Sequence, residues 1–358
     1  MSTARSTRPG REDIDITDIK NWRPLTMLSE LGKVLERLIG ISANKHLGGD
    51  GLSECQYGFR KNRSSVQAIQ KVLEIANTNR NKHVMFISLD IKGAFDNVRW
   101  PAALEAIINK GYPKSEVGLW RSYFNRRVVQ LEDSGIKVYK NLTKGAPQGS
   151  VRGPDAWNIT LDVLLNKPFP NNVQLVAYAD DIMFIIIGRT RNDIQIAARA
   201  AMRQVEDWAT ANKLTFSTNK CWKMLVRGSL DRPPLVTLAG EAIKTVTEGK
   251  YLGIILDQNL NFNKHIRSVT DKAAKLFARI RSILSRKEIN FKSLLAIYKA
   301  AVVPMVTYAC EVWGHQTEVG GKNSRQGTKA LPDHSHRSLL HNFHVRYAYT
   351  SRRPPPKH

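Results

Sequence analysis

Leu175-Val176-Ala177-Tyr178-Ala179-Asp180-Asp181-Ile182-Met183-Phe184-Ile185-Ile186-Ile187 is the stretch on which the reading of this chain turns. Two apolar runs, Leu175–Tyr178 and Ile182–Ile187, have the length and composition of strands, with two adjacent carboxylates wedged between them. Turn geometry alone can account for aspartate at such a place. Paired acids among hydrophobic walls are nevertheless costly unless protonated or facing a cation. A second run, Val84-Met85-Phe86-Ile87-Ser88-Leu89, reads as a strand buried on both faces and ends on Asp90. Singly, Asp90 and Asp96 are explained as a helix cap or a first-turn acid. Taken together, Asp90, Asp180 and Asp181 read as metal ligands, because Mg²⁺ is held by a few carboxylates and keeps positions for water and phosphate.

The surrounding composition sharpens that reading. Lys+Arg number 55 against 31 Asp+Glu in 358 residues, a net charge of +24. Such a surplus points to a polyanionic partner, nucleic acid first, with binding that weakens steeply with salt. A basic nucleic-acid binder has little reason to bury three acids unless they hold cations. Hydrophobic residues at 42% exclude wholesale disorder. No run of eighteen uncharged apolar residues occurs, which excludes a membrane-spanning helix, and the first twenty residues lack the apolar stretch of a signal peptide. Cys55, Cys221 and Cys310 are too scattered for a metal motif and suit a reducing compartment.

Working outward, residues 1–20 are polar and expected to be loose. After Asn21-Trp22-Arg23-Pro24 a helix pattern carries Leu31, Val34, Leu35, Leu38 and Ile39 on one face, and Gly48-Gly49-Asp50-Gly51 breaks it. Ser64 or Ser65 caps a helix with the stripe Val66, Ile69, Val72, Leu73 and Ala76. Pro101 and Gly111 bracket another. Val128–Leu131 and Ile136–Leu142 flank Asp133-Ser134-Gly135 as a hairpin. Gly145-Ala146-Pro147-Gln148-Gly149-Ser150 is a loop that lets backbone approach a flat ligand, ahead of a helix opened by Pro154. Residues 193–211 form an amphipathic helix, Tyr251–Leu256 an apolar strand, and Lys264–Val303 a basic helical region. Strands and helices interleave without a βαβ period, so the fold class is α+β.

These motifs resemble, in order and spacing, the reverse transcriptases of non-LTR (LINE-like) retrotransposons, arthropod ribosomal-DNA-inserting type. Tyr178-Ala179-Asp180-Asp181 is similar to their catalytic signature and Leu89–Asp96 to their first metal-binding motif. Lys144–Ser150 resembles the template- and nucleotide-contacting loop. Trp22-Arg23-Pro24-Leu25 and Gln56-Tyr57-Gly58-Phe59-Arg60 resemble fingers motifs, and Tyr251-Leu252-Gly253 the primer grip. Tyr308–Gly314 resembles the end of the thumb region.

The resemblance implies a right-hand polymerase: fingers over 1–83, palm over 84–258 with a further fingers segment at about 100–147, and the start of a thumb over 259–314. It implies an RNA-directed DNA polymerase that transfers dNMP to a primer 3′-hydroxyl with two Mg²⁺ ions, Mn²⁺ being the alternative. Asp90, Asp180 and Asp181 would be its metal ligands and catalytic carboxylates, and Lys220 a proton donor to pyrophosphate. Arg23 would grip the phosphates, main chain near Ile91 would touch the triphosphate, Phe95 would gate the sugar, and Gln148 would contact it. Partners would be an RNA template, a DNA primer or target DNA, and dNTPs, acting in the nucleus without a membrane.

Arg8-Pro9-Gly10 stands where the family has Lys-Pro-Gly, and the chain is expected to be truncated at both ends. Residues 315–358 hold six of the nine histidines and leave the family pattern. A shifted reading frame, a linker and a His-rich zinc tract compete for them, the last without cysteine partners. Two other readings of the whole remain. One is a catalytically inactive nucleic-acid-binding relic of such an element. The other is a group II intron maturase, which calls for a basic RNA-binding domain after the thumb.

Overall fold

A computed structural model describes residues 2–7, 23–27, 30–34, 36–37, 40, 51–133, 136–147, 149–284 and 296–314. The chain divides into two compact units, residues 1–246 and 247–358. Gln148, the side chain of Arg23, residues 8–22 and the tail 315–358 lie outside what is described, and so do the expectations placed on them.

The first unit is built on a five-stranded sheet. Its strands are β3 (His83–Leu89), β6 (Val173–Tyr178), β7 (Asp181–Gly188), β8 (Trp222–Arg227) and the short segment Lys244–Thr245. The spatial order runs from Lys244–Thr245 through β8, β3 and β7 to β6. All contacts are antiparallel except that of the short segment with β8, as an α+β fold requires. The unbroken apolar runs occupy the centre: Phe86, Ile87, Phe184, Ile185 and Ile186 are wholly buried. Each such side chain contributes roughly 1.5–3 kcal/mol by leaving water.

Alternation along β3 and β7 sends Met85, Ile87, Leu89, Ile182, Phe184 and Ile186 into one core with Trp157, Leu161, Val205 and Trp208. Those last four come from α4 (Gly153–Leu165) and α5 (Arg191–Asn212). Helix α1 (Ser65–Thr78) packs on β6 and β7 and begins at the capping box of Ser64 with Gln67. Its buried stripe is Ala68, Ile69, Val72, Ile75 and Ala76, with Val66 and Leu73 at the margin. Trp100–Asn109 (α2) follows the Pro101 signal, and Lys114–Phe124 (α3) follows Pro113.

Three expectations change. Ser2–Thr7 (β1) is a strand, antiparallel to Arg23–Met27 (β2) and parallel to Val128–Asp133 (β4), rather than loose polar chain. With Ile136–Asn141 (β5) they make a second sheet, ordered β2-β1-β4-β5, in which backbone pairing replaces the apolar pattern as the organising force. Over the helical residues 30–34 and 36–37, Leu31 and Val34 are 83% and 50% exposed, while Leu35, Leu38 and Ile39 lie outside the described residues. Among the described side chains there, the buried one is Glu36. Its carboxylate accepts the Val151 N–H at 2.7 Å and the Ser150 hydroxyl at 3.1 Å, which draws the polar side of the turn inward. Finally, Tyr251–Leu256 is two strands rather than one. Glu248–Tyr251 and Ile254–Asp257 pair across a turn at Leu252-Gly253, both at positive φ.

That hairpin belongs to the second unit. There Asp257 accepts the N–H groups of Asn259, Asn261 and Phe262 and leads into the basic helix Asn263–Leu284. The Tyr308 hydroxyl donates to the Leu252 carbonyl at 2.7 Å and steadies the hairpin turn. Among the described residues, no helix is long and apolar enough to cross a membrane.

Candidate active site

The two central strands bring the acids together. β3 and β7 are in register from His83↔Gly188 to Leu89↔Ile182, so Asp90 and Asp181 are the next residues facing one another across the pair. Strand alternation turns both away from the core that receives Leu89 and Ile182. Asp180 sits in the two-residue turn that joins β6 to β7, where Tyr178 pairs with Asp181 and Ala179 has φ +58°. Positive φ at the first central residue is the mark of hairpin turns whose twist matches their strands.

The electrostatics record this convergence. The Asp181 carboxyl is pushed up from 3.8 to about 6, first by the protein mass that displaces water around it, then by the charges of Asp180 and Asp90. Asp181 nonetheless keeps solvent-exposed surface, so solvent screens part of this effect. Repulsion among carboxylates is the condition that a bound divalent cation relieves, and the all-oxygen donor set suits Mg²⁺. Among the described residues, no group of three or more histidine, cysteine, aspartate or glutamate side chains is placed so that it could hold a metal ion as it stands.

Asp90 and Asp180 line one cavity of about 660 Å³, a size in the range of small-molecule sites. Phe59, Lys92, Phe95 and Lys220 share its wall, as do Ala146, Pro147 and Gly149 of the glycine-bounded loop. Lys220 Nζ stands 3.8 Å from Asp90 Oδ2 and is largely solvent-exposed. Phe95 packs edge-on to Phe59 at 5.8 Å and tilted to Trp157 at 5.9 Å. Ile91 forms an isolated antiparallel bridge with Phe216, closed by Lys92 N–H to Thr215 O and Ser217 N–H to Asp90 O, both 2.8 Å. In that pattern the N–H and C=O of Ile91 point away from Phe216.

The glycine-bounded loop is seated on the Phe95 turn. Ala146 N–H donates to Phe95 O at 2.7 Å, Gly145 N–H to Val98 O at 2.8 Å, and the Trp100 indole to Gly145 O at 2.8 Å. Gly145 has φ +93° and lies where a Cβ would meet Asp96 O at 2.9 Å, so only glycine fits without strain.

The structure thus gathers Asp90, Asp180, Asp181, Ile91, Phe95 and Lys220 in one region, while Gln148 and the Arg23 side chain are not described. It adds two residues to which sequence reasoning gave no role. Phe59 lines the cavity against Phe95. Cys221 accepts the Asp90 N–H at 3.3 Å from below. Phe59 falls within a motif already singled out, so its position was available as a signal; nothing local distinguishes Cys221 from a core thiol.

An acid-bearing antiparallel sheet beside such a cleft is the arrangement of a nucleotidyl-transferring polymerase, and residues 11–256 match the reverse transcriptase (RNA-dependent DNA polymerase) family. The chain belongs to that family. Its relatives are R1 and jockey polymerases of arthropod non-LTR retrotransposons. It is 32% identical over 303 residues to the putative 115 kDa protein in the type-1 retrotransposable element R1DM of Drosophila melanogaster, covering 84% of this chain and 29% of that protein. It is 27% identical to the RNA-directed DNA polymerase from the mobile element jockey of Drosophila funebris, covering 86% and 34%. The chain therefore spans about a third of the length of these relatives. Among solved structures, telomerase from Candida albicans in complex with a telomeric RNA fragment aligns at TM-score 0.45 and 9% identity, over 81% of this chain and 52% of that one.

Proposed function

We propose that the chain is the polymerase portion of a non-LTR retrotransposon protein and copies RNA into DNA. The observation that carries this reading is the facing pair Asp90 and Asp181 with Asp180 in the adjoining turn, Asp90 and Asp180 lining a single cleft. In the reaction a primer 3′-hydroxyl attacks the α-phosphate of a dNTP. The new phosphodiester P–O bond forms, the bond to pyrophosphate breaks, and the hydroxyl proton is lost.

Asp90, Asp180 and Asp181 would hold two Mg²⁺ ions, or Mn²⁺. When bound, such a pair lowers the pKa of the attacking hydroxyl and neutralises the departing charge. The chain's own residues do the positioning. Phe95, backed by Phe59 and Trp157, lies under the sugar and clashes with a ribose 2′-hydroxyl. The outward-facing main chain of Ile91 meets the triphosphate. Lys220, beside Asp90, donates a proton to leaving pyrophosphate. Arg23 grips the phosphates by charge-assisted hydrogen bonds and Gln148 contacts the sugar.

Residues 1–83 act as fingers, 84–258 as palm with fingers at about 100–147, and 259–314 as the start of a thumb. The hairpin turn at Leu252-Gly253 serves as primer grip, and the basic helix Asn263–Leu284 holds a template–primer duplex by its phosphates. The substrates are an RNA template, a DNA primer supplied by nicked target DNA, and dNTPs, and the setting is the nucleus.

Extension of oligo-dT on poly-rA with dTTP and Mg²⁺ tests this reading, beside Asp180→Asn. Extension lost in the variant is the expected result. Folded, RNA-binding protein with no extension would instead establish the inactive relic.

A further inference from the structure

The turn that carries Asp180 is held from outside the sheet by a side chain whose role no step above uses. Gln56 is 1% exposed. Its amide oxygen accepts two backbone N–H groups, from Gly58 at 2.7 Å and from Ala179 at 3.0 Å. Its amide nitrogen reaches the Ala179 carbonyl at 3.4 Å, and the indole of the wholly buried Trp157 donates to that same carbonyl at 3.0 Å. Both polar groups of the Ala179 backbone are therefore fixed by side chains from two other segments.

The segment around Gln56 is itself docked on β6, the strand that leads into the acid-bearing turn. Tyr57 N–H donates to Ala177 O and Ala177 N–H to Cys55 O, each at 2.8 Å, which makes a one-residue parallel bridge between Gln56 and Ala177. Gly58 lies so close that a Cβ there would fall 2.2 Å from the Ala179 nitrogen. Asn158, wholly buried, donates to the Gly58 carbonyl at 2.9 Å, and Arg60 to the carbonyls of Ser53 and Gln56 at 2.6 and 2.9 Å.

Ala179 needs such support. An alanine at φ +58° is in the left-handed region, at a cost that persists only where the surroundings over-determine it. Asp180 is the next residue, so the orientation of the Ala179 peptide determines where its carboxylate is presented. We infer that Gln56 is a positioning residue for the acid-bearing turn: by clamping Ala179 it sets the Asp180 carboxylate for a divalent cation, with Trp157 as the second arm of the clamp. The inference rests on the polymerase reading. It also gives the Gln56–Arg60 motif a task at the chemistry.

The test is Mn²⁺ binding to the purified chain, followed by electron paramagnetic resonance, with circular dichroism as the check on folding. Gln56→Met keeps the bulk and removes the acceptor and donor; Trp157→Phe keeps a ring and removes one donor. Each is expected to weaken Mn²⁺ binding, Gln56→Met by ~10-fold or more, as when an outer partner of a metal ligand is lost. Gln56→Glu, which still accepts from Gly58 and Ala179, should recover part of the loss. Val205→Ala, a cavity in the core far along α5, controls for a general loss of stability and should bind as the unmodified chain does. Should Gln56→Met fail to fold, Trp157→Phe decides.

Unaltered Mn²⁺ binding in the folded Gln56 and Trp157 variants, with binding abolished by Asp180→Asn, overturns the clamp alone. An unmodified chain that binds no Mn²⁺, or binds it equally after Asp180→Asn, overturns the polymerase reading and the clamp with it.

Discussion

Asp90 and Asp181 face one another across β3 and β7, one step beyond the last in-register pair of Leu89 with Ile182. Their mutual repulsion, with that of Asp180, has a measurable consequence. Burial and these neighbours raise the Asp181 carboxyl from 3.8 to about 6, so the folded chain keeps its proton where the unfolded chain has lost it. A folded-state value above the unfolded one means that stability falls as pH rises from about 4 to about 6, then stays level. Asp181→Asn removes the cost. In EDTA at low salt its thermal midpoint should match that of the unmodified chain at pH 4 and exceed it at pH 8. Added Mg²⁺ should narrow the gap at pH 8. Equal midpoints at both pH values would remove the electrostatic account of this cluster.

Phe95 is the residue on which sugar choice should depend. Its ring is wedged between Phe59 and Trp157, so it cannot swing aside without disturbing a buried indole. Phe95→Val opens space at the cavity wall. Discrimination against ribonucleotides, read as the ratio of kcat/KM for dTTP and UTP, should fall by ~10-fold or more, the scale of a steric preference. A ratio unchanged within twofold would return Phe95 to the role of a core aromatic.

The legible parts of this fold are those in which one local pattern carries the whole message. β3 and β7 are uninterrupted apolar runs because both faces are covered, and the acids stood out against them. β8 is equally central but hidden: Lys223 interrupts its run and is accommodated only because its ammonium donates to the Ile243 carbonyl, a contact between distant segments. The strand break at Leu252-Gly253 lies inside an apolar stretch, where periodicity cannot mark a turn. The role of Gln56 depends on Ala179, 123 positions away, and a glutamine in a loop announces nothing by itself. Asp90, Asp180 and Asp181 stood out as a set through their apolar settings and the charge surplus, whereas Lys220 carried no local signal and entered only through the ordered motifs.

Gly145 offers a test of how tightly the glycine-bounded loop is seated. Both Gly145 and Gly240 have positive φ, +93° and +79°, but a Cβ at Gly145 would press on Asp96 O at 2.9 Å while nothing lies within 4 Å at Gly240. Gly240→Ala should therefore cost only the backbone term, about 1 kcal/mol. Gly145→Ala adds a clash with main chain that cannot rotate away, and should cost about 2–3 kcal/mol in urea unfolding. Equal costs would mean that the loop moves freely over the Phe95 turn. A larger loss at Gly145 should also raise KM for dNTP, since the loop and Phe95 share one cavity wall.

Lys220 is the group whose chemistry can be separated from its charge. It stands 3.8 Å from Asp90, exposed to solvent at the mouth of the cavity. A structural ion pair this exposed contributes little to stability, so Lys220→Ala should leave the urea midpoint nearly unchanged. A proton donor to pyrophosphate, by contrast, supplies roughly 10²–10⁴-fold to the rate. Lys220→Ala should then lower single-turnover kcat by ~10²-fold with little change in KM for dNTP. Lys220→Arg discriminates the two functions, because guanidinium keeps the positive charge but does not release a proton in this range. Recovery of full rate by arginine would assign Lys220 to electrostatics alone. Persistence of the defect in the arginine variant assigns it to proton transfer.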